Sequence, residues 1–417
     1  MKGAKIDTTG MMLPDFEMSH GKVMTSGKSV AIWKVLGVTA VLFAVAPVSG
    51  SEFPFVLDQG TPVSLLSVQH LSDDTVLIAL GELAFKNEQL LDLAAARSFG
   101  VHLTCDACHP DGGTSKVLFI EGLSTKPGTI DITHRAMTLY EDGTFNPVNV
   151  PSIFGARNTA PYGRSGKFAT LREFTRFAVV EEFGGKEPGS LTLDALVAYE
   201  TSLDFMGNAW LDDQGQLTRM APESARRGDE IFNRPFPNEP HLSCAACHIP
   251  ETAFVDRRTH EVGTGAVIDT PTIRDLTVTP PYMHDGRFDS LAAVVDHFNK
   301  HFGLALTENE KMDLVAYLEA VGGGDVAEPL EQGGFQLETI LILLERTLLA
   351  EDWALGKMVI NQVLIELNAI RGQSGAPMNE VIDRCIYDLG QIDGFNKIEN
   401  YDASLAILYR LRAALVK

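Results

Sequence analysis

A mainly α-helical protein, built from two tandem copies of one domain and closed by a C-terminal helical appendix, is what this sequence predicts. Three observations predict it. The pentapeptide Cys105-Asp-Ala-Cys108-His109 returns as Cys244-Ala-Ala-Cys247-His248. Pro151–Leu171 aligns without a gap with Pro271–Leu291, matching Ile153 with Ile273, Thr159 with Thr279, Pro161-Tyr162 with Pro281-Tyr282, Gly166 with Gly286 and Phe168 with Phe288. Beyond residue 330 the composition shifts to apolar stripes of helical period, as in Leu337–Leu344, Met358–Ile365 and Leu405–Leu408.

Taken in order, residues 1–50 read as an export signal. The apolar run Val35–Val48 follows Lys28 and Lys34 and ends in Ser49-Gly50-Ser51. The run is short for a membrane span, although an uncleaved anchor is the alternative reading. The polar stretch ahead of Lys28 is long for a signal, so Met24 is a possible true start. The expected location is the periplasm, with no stable membrane insertion once the signal is cleaved. Residues 56–82 contain strand-forming pieces such as Thr75-Val-Leu-Ile78 and predict a short hairpin.

The C-x-x-C-H spacing has a chemical reason. On one helical turn both thiols reach the vinyl groups of a porphyrin as thioethers, and the adjacent His offers its imidazole to the iron. A lone copy also suits a dithiol redox pair or half a zinc site; two copies in an exported chain favour covalently bound haem c. Cys105, Cys108 and His109 would hold one haem, and Cys244, Cys247 and His248 the other. That leaves Cys385 of the five cysteines, read as a small buried apolar residue, so no internal disulfide is expected.

Each half then runs from haem motif to Pro-Tyr loop, helix and closing helix, the last marked by Leu196-Val-Ala-Tyr199 and Leu314-Val-Ala-Tyr317. Two cytochrome c-like haem domains follow, at 51–207 and 223–326. The polar stretch at 208–222 is the expected linker, and 327–417 the helical tail. Thr307-Glu-Asn-Glu310 has capping-box spacing for the start of the closing helix of the second copy, and Gly322-Gly-Gly324 ends it. The tail has no Cys other than Cys385 and no His; its stripes predict a core or packing on the haem domains.

Net charge is −21, and removing the first fifty residues, with five lysines and three acids, takes it to −23. Nucleic acid is thereby an unsuitable partner. An acidic surface suits solubility and a basic redox partner arriving by electrostatic steering.

These motifs, with Pro281-Tyr-Met-His-Asp-Gly-Arg-Phe288 in the second loop, resemble the bacterial dihaem cytochrome c peroxidases and their MauG-like relatives over roughly residues 80–322. The resemblance implies a peroxide-reacting N-terminal haem on His109, an electron-transferring C-terminal haem on His248, and one calcium ion between the domains. It implies a distal acid at Glu182 and calcium ligands at Asn149, Thr279 and Pro281, the latter two through backbone oxygens. It further implies hydrogen peroxide as substrate and a small cytochrome c or other redox protein as electron donor; a homodimer is a possible assembly.

Departures are as informative. Where the family has a Trp between the haems, the sequence has Arg164, and where it has a Met or Tyr ligand to the second iron, the sequence has Phe298. For that iron Met283, His297 or no residue remain open, with His284 read as orienting a haem propionate or the loop. His102 and His134 are candidates for the first iron, which is expected to keep an open position. The expected activity is that of a cytochrome-c peroxidase-like oxidoreductase. The alternatives are MauG-like oxidation of a partner protein's side chains, and a non-catalytic electron-transfer or redox-sensing cytochrome.

Overall fold

The computed structural model describes residues 34–35, 38–39, 72–91, 103–133, 142–323, 337–371 and 376–415. The chain divides into two compact units, Met1–Val63 and Ser64–Lys417. Described residues of the first unit form two short antiparallel strands, β1 (Lys34–Val35) and β2 (Val38–Thr39). The rest of the expected signal lies outside the described residues, as do His102 and His134.

The second unit is mainly α-helical. It opens on helix α1 (Asp73–Phe85), which corrects the hairpin expected over 56–82 as far as that segment is described. Thr75-Val-Leu-Ile78 is β-prone in isolation, but Ser72 caps the helix, its hydroxyl accepting from Thr75 N at 3.2 Å, and Asp73 and Asp74 meet the positive end of its dipole. Packing decides the rest, because Leu80, Ala84 and Phe85 are buried.

α1 crosses α4 (Ser190–Ser202) at close range: a Cβ on Gly81 would overlap the Ala195 carbonyl. The Phe85 and Tyr199 rings meet beside the crossing, 5.2 Å apart. The same crossing recurs in the second copy. There α5 (Glu223–Asn233) meets α8 (Glu308–Gly322), Gly228 faces the Asp313 carbonyl, and Phe232 lies 4.6 Å from Tyr317. The repeat therefore starts upstream of the haem motifs, at Gly81-x-x-x-Phe85 and Gly228-x-x-x-Phe232.

Between the crossed helices lie the short helices α2 (Cys105–Cys108) and α6 (Cys244–Cys247), then the Pro-Tyr loops. In each loop a Tyr hydroxyl donates to a carbonyl six residues back, Tyr162 to Ala156 at 3.0 Å and Tyr282 to Leu276 at 3.1 Å. Short antiparallel pairs β3 (Thr129–Ile130) with β4 (Val148–Asn149), and β5 (Thr259–Glu261) with β6 (Val267–Asp269), brace the loops. α3 (Leu171–Phe177) starts at a Thr170/Glu173 capping box, and α7 (Leu291–His301) at Ser290. The expected capping box of α8 forms between Thr307 and Glu310, and Gly323 ends that helix.

Residues 208–222 are packed down: the Asn208 amide donates to Ala320 O at 2.8 Å, and Leu211 and Leu217 lie against the second copy's core. That core gathers Phe232, Phe254, Leu314, Tyr317 and Val321. The other core begins at Leu80, Leu196 and Tyr199 and runs without a break into the appendix, through Ile340, Leu344, Val359, Leu389 and Leu408.

The appendix is α9 (Leu337–Leu349), α10 (Trp353–Arg371), α11 (Ala376–Asn396) and α12 (Tyr401–Leu415). Its stripes thus form a core and pack on the first copy. Asp352 holds the junction, since one carboxylate oxygen accepts from Leu355 N at 3.1 Å while the other accepts from Thr192 Oγ1 at 2.7 Å and Thr192 N at 3.3 Å. One side chain caps both α10 and α4, whose own cap residue is Gly189. Cys385 is buried in this bundle, as expected. Among the described residues no helix is long and apolar enough to cross a membrane.

Candidate haem sites

Thr104 nucleates the first motif, its hydroxyl accepting from Ala107 N at 3.0 Å. His109 and His248 each close their turn with an N–H to the first Cys carbonyl, at 2.8 and 2.9 Å. Both cysteines of each motif are free. Burial pushes the thiols of Cys108 and Cys244 up to about 12 and raises those of Cys105 and Cys247. Such thiols lack the thiolate character of a redox dithiol.

Iron ligation needs neutral imidazoles, and burial supplies them: it holds His109 down to about 4 and lowers His248. His248 Nδ1 is occupied by the Phe254 carbonyl at 3.1 Å, which leaves Nε2 for a ligand. His109 Nδ1 is buried without a partner. The donor set, two thiols and one neutral imidazole, fits a haem at each motif.

The sequence did not disclose the local form of the Glu182 segment. α3 passes directly into a π-helical turn, Ala178–Glu182, a rare element that recurs at functional sites. Glu181 turns out to Arg176 at 3.2 Å. Glu182 is partly buried, and desolvation pushes its carboxyl up to about 7, against the pull of the Arg164 cation. Counting equally from Leu171 and Leu291, its counterpart in the second copy is Phe302.

Arg164 stands between the copies. It donates to the main-chain oxygen of His284 and, at 3.1 Å, to that of Asn149. Asn149 N also donates to His284 O, at 2.8 Å. The Asn149 amide donates to Pro281 O at 2.7 Å while its Oδ1 is buried without a partner. Turning that amide over would set two oxygens side by side, the donor type calcium takes. Thr279 Oγ1 is engaged locally, with Leu276 O at 3.3 Å. The residues thus fit a calcium ion through Asn149 and Pro281, with the Arg164 charge beside them.

For the second iron, His297 Nε2 is engaged with Val262 O at 2.8 Å, and Phe298 packs between His297 and Phe302. Met283 is half-buried, with φ of 69°, at the place of Gly163 in the first loop. A bulky residue in that region is a strained choice. His284 Nδ1 is buried without a partner, and its main-chain oxygen accepts from Arg164 and Asn149.

Two features escaped the sequence. Cys247, Asp256 and His260 place possible ligand atoms within 4.8 Å of one another, with His260 Nε2 2.7 Å from Asp256 and 3.8 Å from the Cys247 sulfur. The sulfur belongs to the haem motif, so the pair walls that haem's thioether edge. Glu200, 8% exposed, accepts from Thr175 Oγ1 at 2.6 Å.

The model of the family "Di-haem cytochrome c peroxidase" matches residues 223–321. Hydrazine synthase subunit gamma of Kuenenia stuttgartiensis is 24% identical over 61% of this chain and 80% of its own length. The methylamine utilization protein MauG of Methylorubrum extorquens is 34% identical over 26% of this chain; the match spans 37% of that relative's length. A solved MauG-like protein associated with microbial copper homeostasis covers 66% of this chain and 98% of its own, at 18% identity and a TM-score of 0.42. The matched family model and relatives support a haem-binding oxidoreductase. The likeness to the dihaem cytochrome c peroxidases is carried by residues 223–321.

Proposed function

We propose that this protein is a periplasmic peroxidase that carries two covalent haems c and reduces hydrogen peroxide at the N-terminal one. Electrons from a small cytochrome c or similar redox protein arrive through the C-terminal haem. The observation that carries this reading is the inequality of the copies: a partly buried acid, Glu182, stands on a π turn in the first, where the second has Phe302.

When bound, the haem supplies the iron at which the peroxide O–O bond is cleaved and through which two electrons pass. The chain supplies proton management. Ionised Glu182 accepts the proton of the peroxide oxygen nearer the iron and returns it to the departing oxygen, which leaves as water; a second water completes the balance of two electrons and two protons. Arg164 keeps a cation near that carboxylate. His109 and His248 are the iron ligands, Met283 is the proposed additional ligand of the second iron, and Asn149, Thr279 and Pro281 are the proposed calcium site.

Electron paramagnetic resonance of the oxidised protein, with peroxide turnover assayed on a reduced small cytochrome c, tests the proposal. One high-spin haem that reacts with peroxide is expected. Two six-coordinate low-spin haems and no turnover would reject the enzyme reading in favour of an electron carrier.

A second reading, oxidation of a partner protein's side chains, is favoured by one observation: Arg164 occupies the relay position. Oxidised Trp or Tyr in an exported partner after peroxide treatment would select it.

A further inference from the structure

The two copies differ at a second buried place that peroxide chemistry at Glu182 does not use. Glu200 sits near the end of α4, buried, with one oxygen taken by Thr175 Oγ1 at 2.6 Å. Thr175 projects from α3, the helix that runs on into the Glu182 turn. In the second copy the matching residues are Val295 and Leu318, so an apolar pair replaces the whole hydrogen-bonded pair. Burying a lone carboxyl is costly, and a fold that solves this wall with Val and Leu in one copy does not need the acid for packing.

Glu200 lies within electrostatic reach of the first haem motif. The titratable groups that interact with it are the Cys105 thiol and the Tyr162 phenol. Cys105 is the thioether position, and the Tyr162 hydroxyl is spent on Ala156 O. No cation acts on Glu200. A charge appearing on the neighbouring haem is therefore felt by Glu200 as well as by Glu182, the other buried acid of the first copy.

We propose that Glu200, held by Thr175, is the charge-compensating acid of the first haem: it takes up a proton when that haem is reduced by one electron and releases it on oxidation. The electron comes from the donor and the proton from solvent, so the buried wall stays neutral in total. Desolvation pushes the Glu200 carboxyl up to about 7, where solvent can supply and accept that proton. This rests on haem being attached at Cys105–His109, and not on the peroxide reaction.

The test is potentiometric titration of the haem-loaded full chain between about pH 5 and 9, without peroxide. One haem wave should fall with pH by up to tenfold in equilibrium constant per pH unit, about 59 mV, across a window near neutrality, while the other stays flat. In a Glu182→Gln background, which removes the other buried acid, the slope should persist and Glu200→Gln should flatten the first wave. The double change Thr175→Val with Glu200→Leu, copying the second copy's own pair, should do so with both haems loaded. Thr175→Val alone, by removing the donor, should move the window to higher pH. A flat wild-type wave, or a loaded Glu182→Gln/Glu200→Gln protein that keeps the slope of Glu182→Gln, would overturn the proposal alone. A wild-type mass short of one haem would overturn it together with the functional reading.

Discussion

Arg164 in the loop of the first copy donates a hydrogen bond to the main-chain oxygen of His284 in the loop of the second. Its other arm reaches Asn149 O at 3.1 Å, so one guanidinium ties Asn149 of the first copy to the loop of the second. Arg164 is thereby an electrostatic clasp between the two loops.

Removing the clasp strands partly buried carbonyls that accept from a charge. Hydrogen bonds of this kind contribute about 1.5–3 kcal/mol each. Arg164→Ala is expected to destabilise the haem-loaded protein by about 2–3 kcal/mol in denaturant unfolding. An unchanged midpoint would show that the loops are fastened elsewhere.

For Glu182 the sign is set by the form that works. The carboxylate takes the proton, and its pKa stands at about 7, so peroxide reactivity should rise with pH through neutrality. Glu182→Gln should cut the rate by about 10²–10⁴ and abolish that rise, leaving the resting spectrum intact. Arg164→Ala should move the rise to higher pH, because the cation favours the ionised acid. Stopped-flow rates across pH decide it; a Gln variant with wild-type rates removes Glu182 from the mechanism.

Thr175 and Glu200 yield a stability prediction. Glu200 has a folded pKa raised to about 7 against 4.5, so between these values the folded chain binds the extra proton and stability falls as pH rises. The stabilisation is fully present below about pH 4.5 and lost above about 7. Thr175→Val leaves the acid without its donor and should cost about 1–3 kcal/mol. The Val/Leu double change should recover that loss and remove this acid's share of the pH dependence in chemical denaturation. Failure of the double change to recover it would mean that the first wall is packed for a polar pair.

The C-x-x-C-H motifs, the Pro-Tyr repeat, the closing helices and the Thr307 cap were legible because each is local and carries its own chemistry. α1 was not, because Thr75-Val-Leu-Ile78 is locally strand-like and becomes helical through its Ser72 cap and its crossing with α4. Comparing Gly81-x-x-x-Phe85 with Gly228-x-x-x-Phe232 would have revealed it. The Thr175–Glu200 bond joins residues 25 apart, and Asp352 caps a helix 160 residues away; neither leaves a pattern in the chain.

Asp352 makes the appendix part of the first copy. Its carboxylate serves the N-termini of α10 and α4, and α4 carries Glu200. Asp352→Ala should cost about 1–3 kcal/mol and raise hydrogen exchange at both helix starts. Exchange confined to α10 would show that α4 is capped independently.

The Asn149–Pro281 pair carries the last prediction. Its buried, unpartnered Oδ1 asks for a positive partner, and Arg164 already supplies a charge to the same residue's carbonyl. A cation bound to the folded chain alone stabilises it by mass action. Chelation with EGTA should therefore lower the melting temperature, and added calcium restore it, with magnesium a poor substitute because it holds its waters. Asn149→Ala should abolish the calcium response. The Arg164 charge opposes the ion, so Arg164→Gln should tighten calcium binding in a titration at low ionic strength. If chelation and Asn149→Ala both leave melting unchanged, Arg164 is the only cation this junction uses.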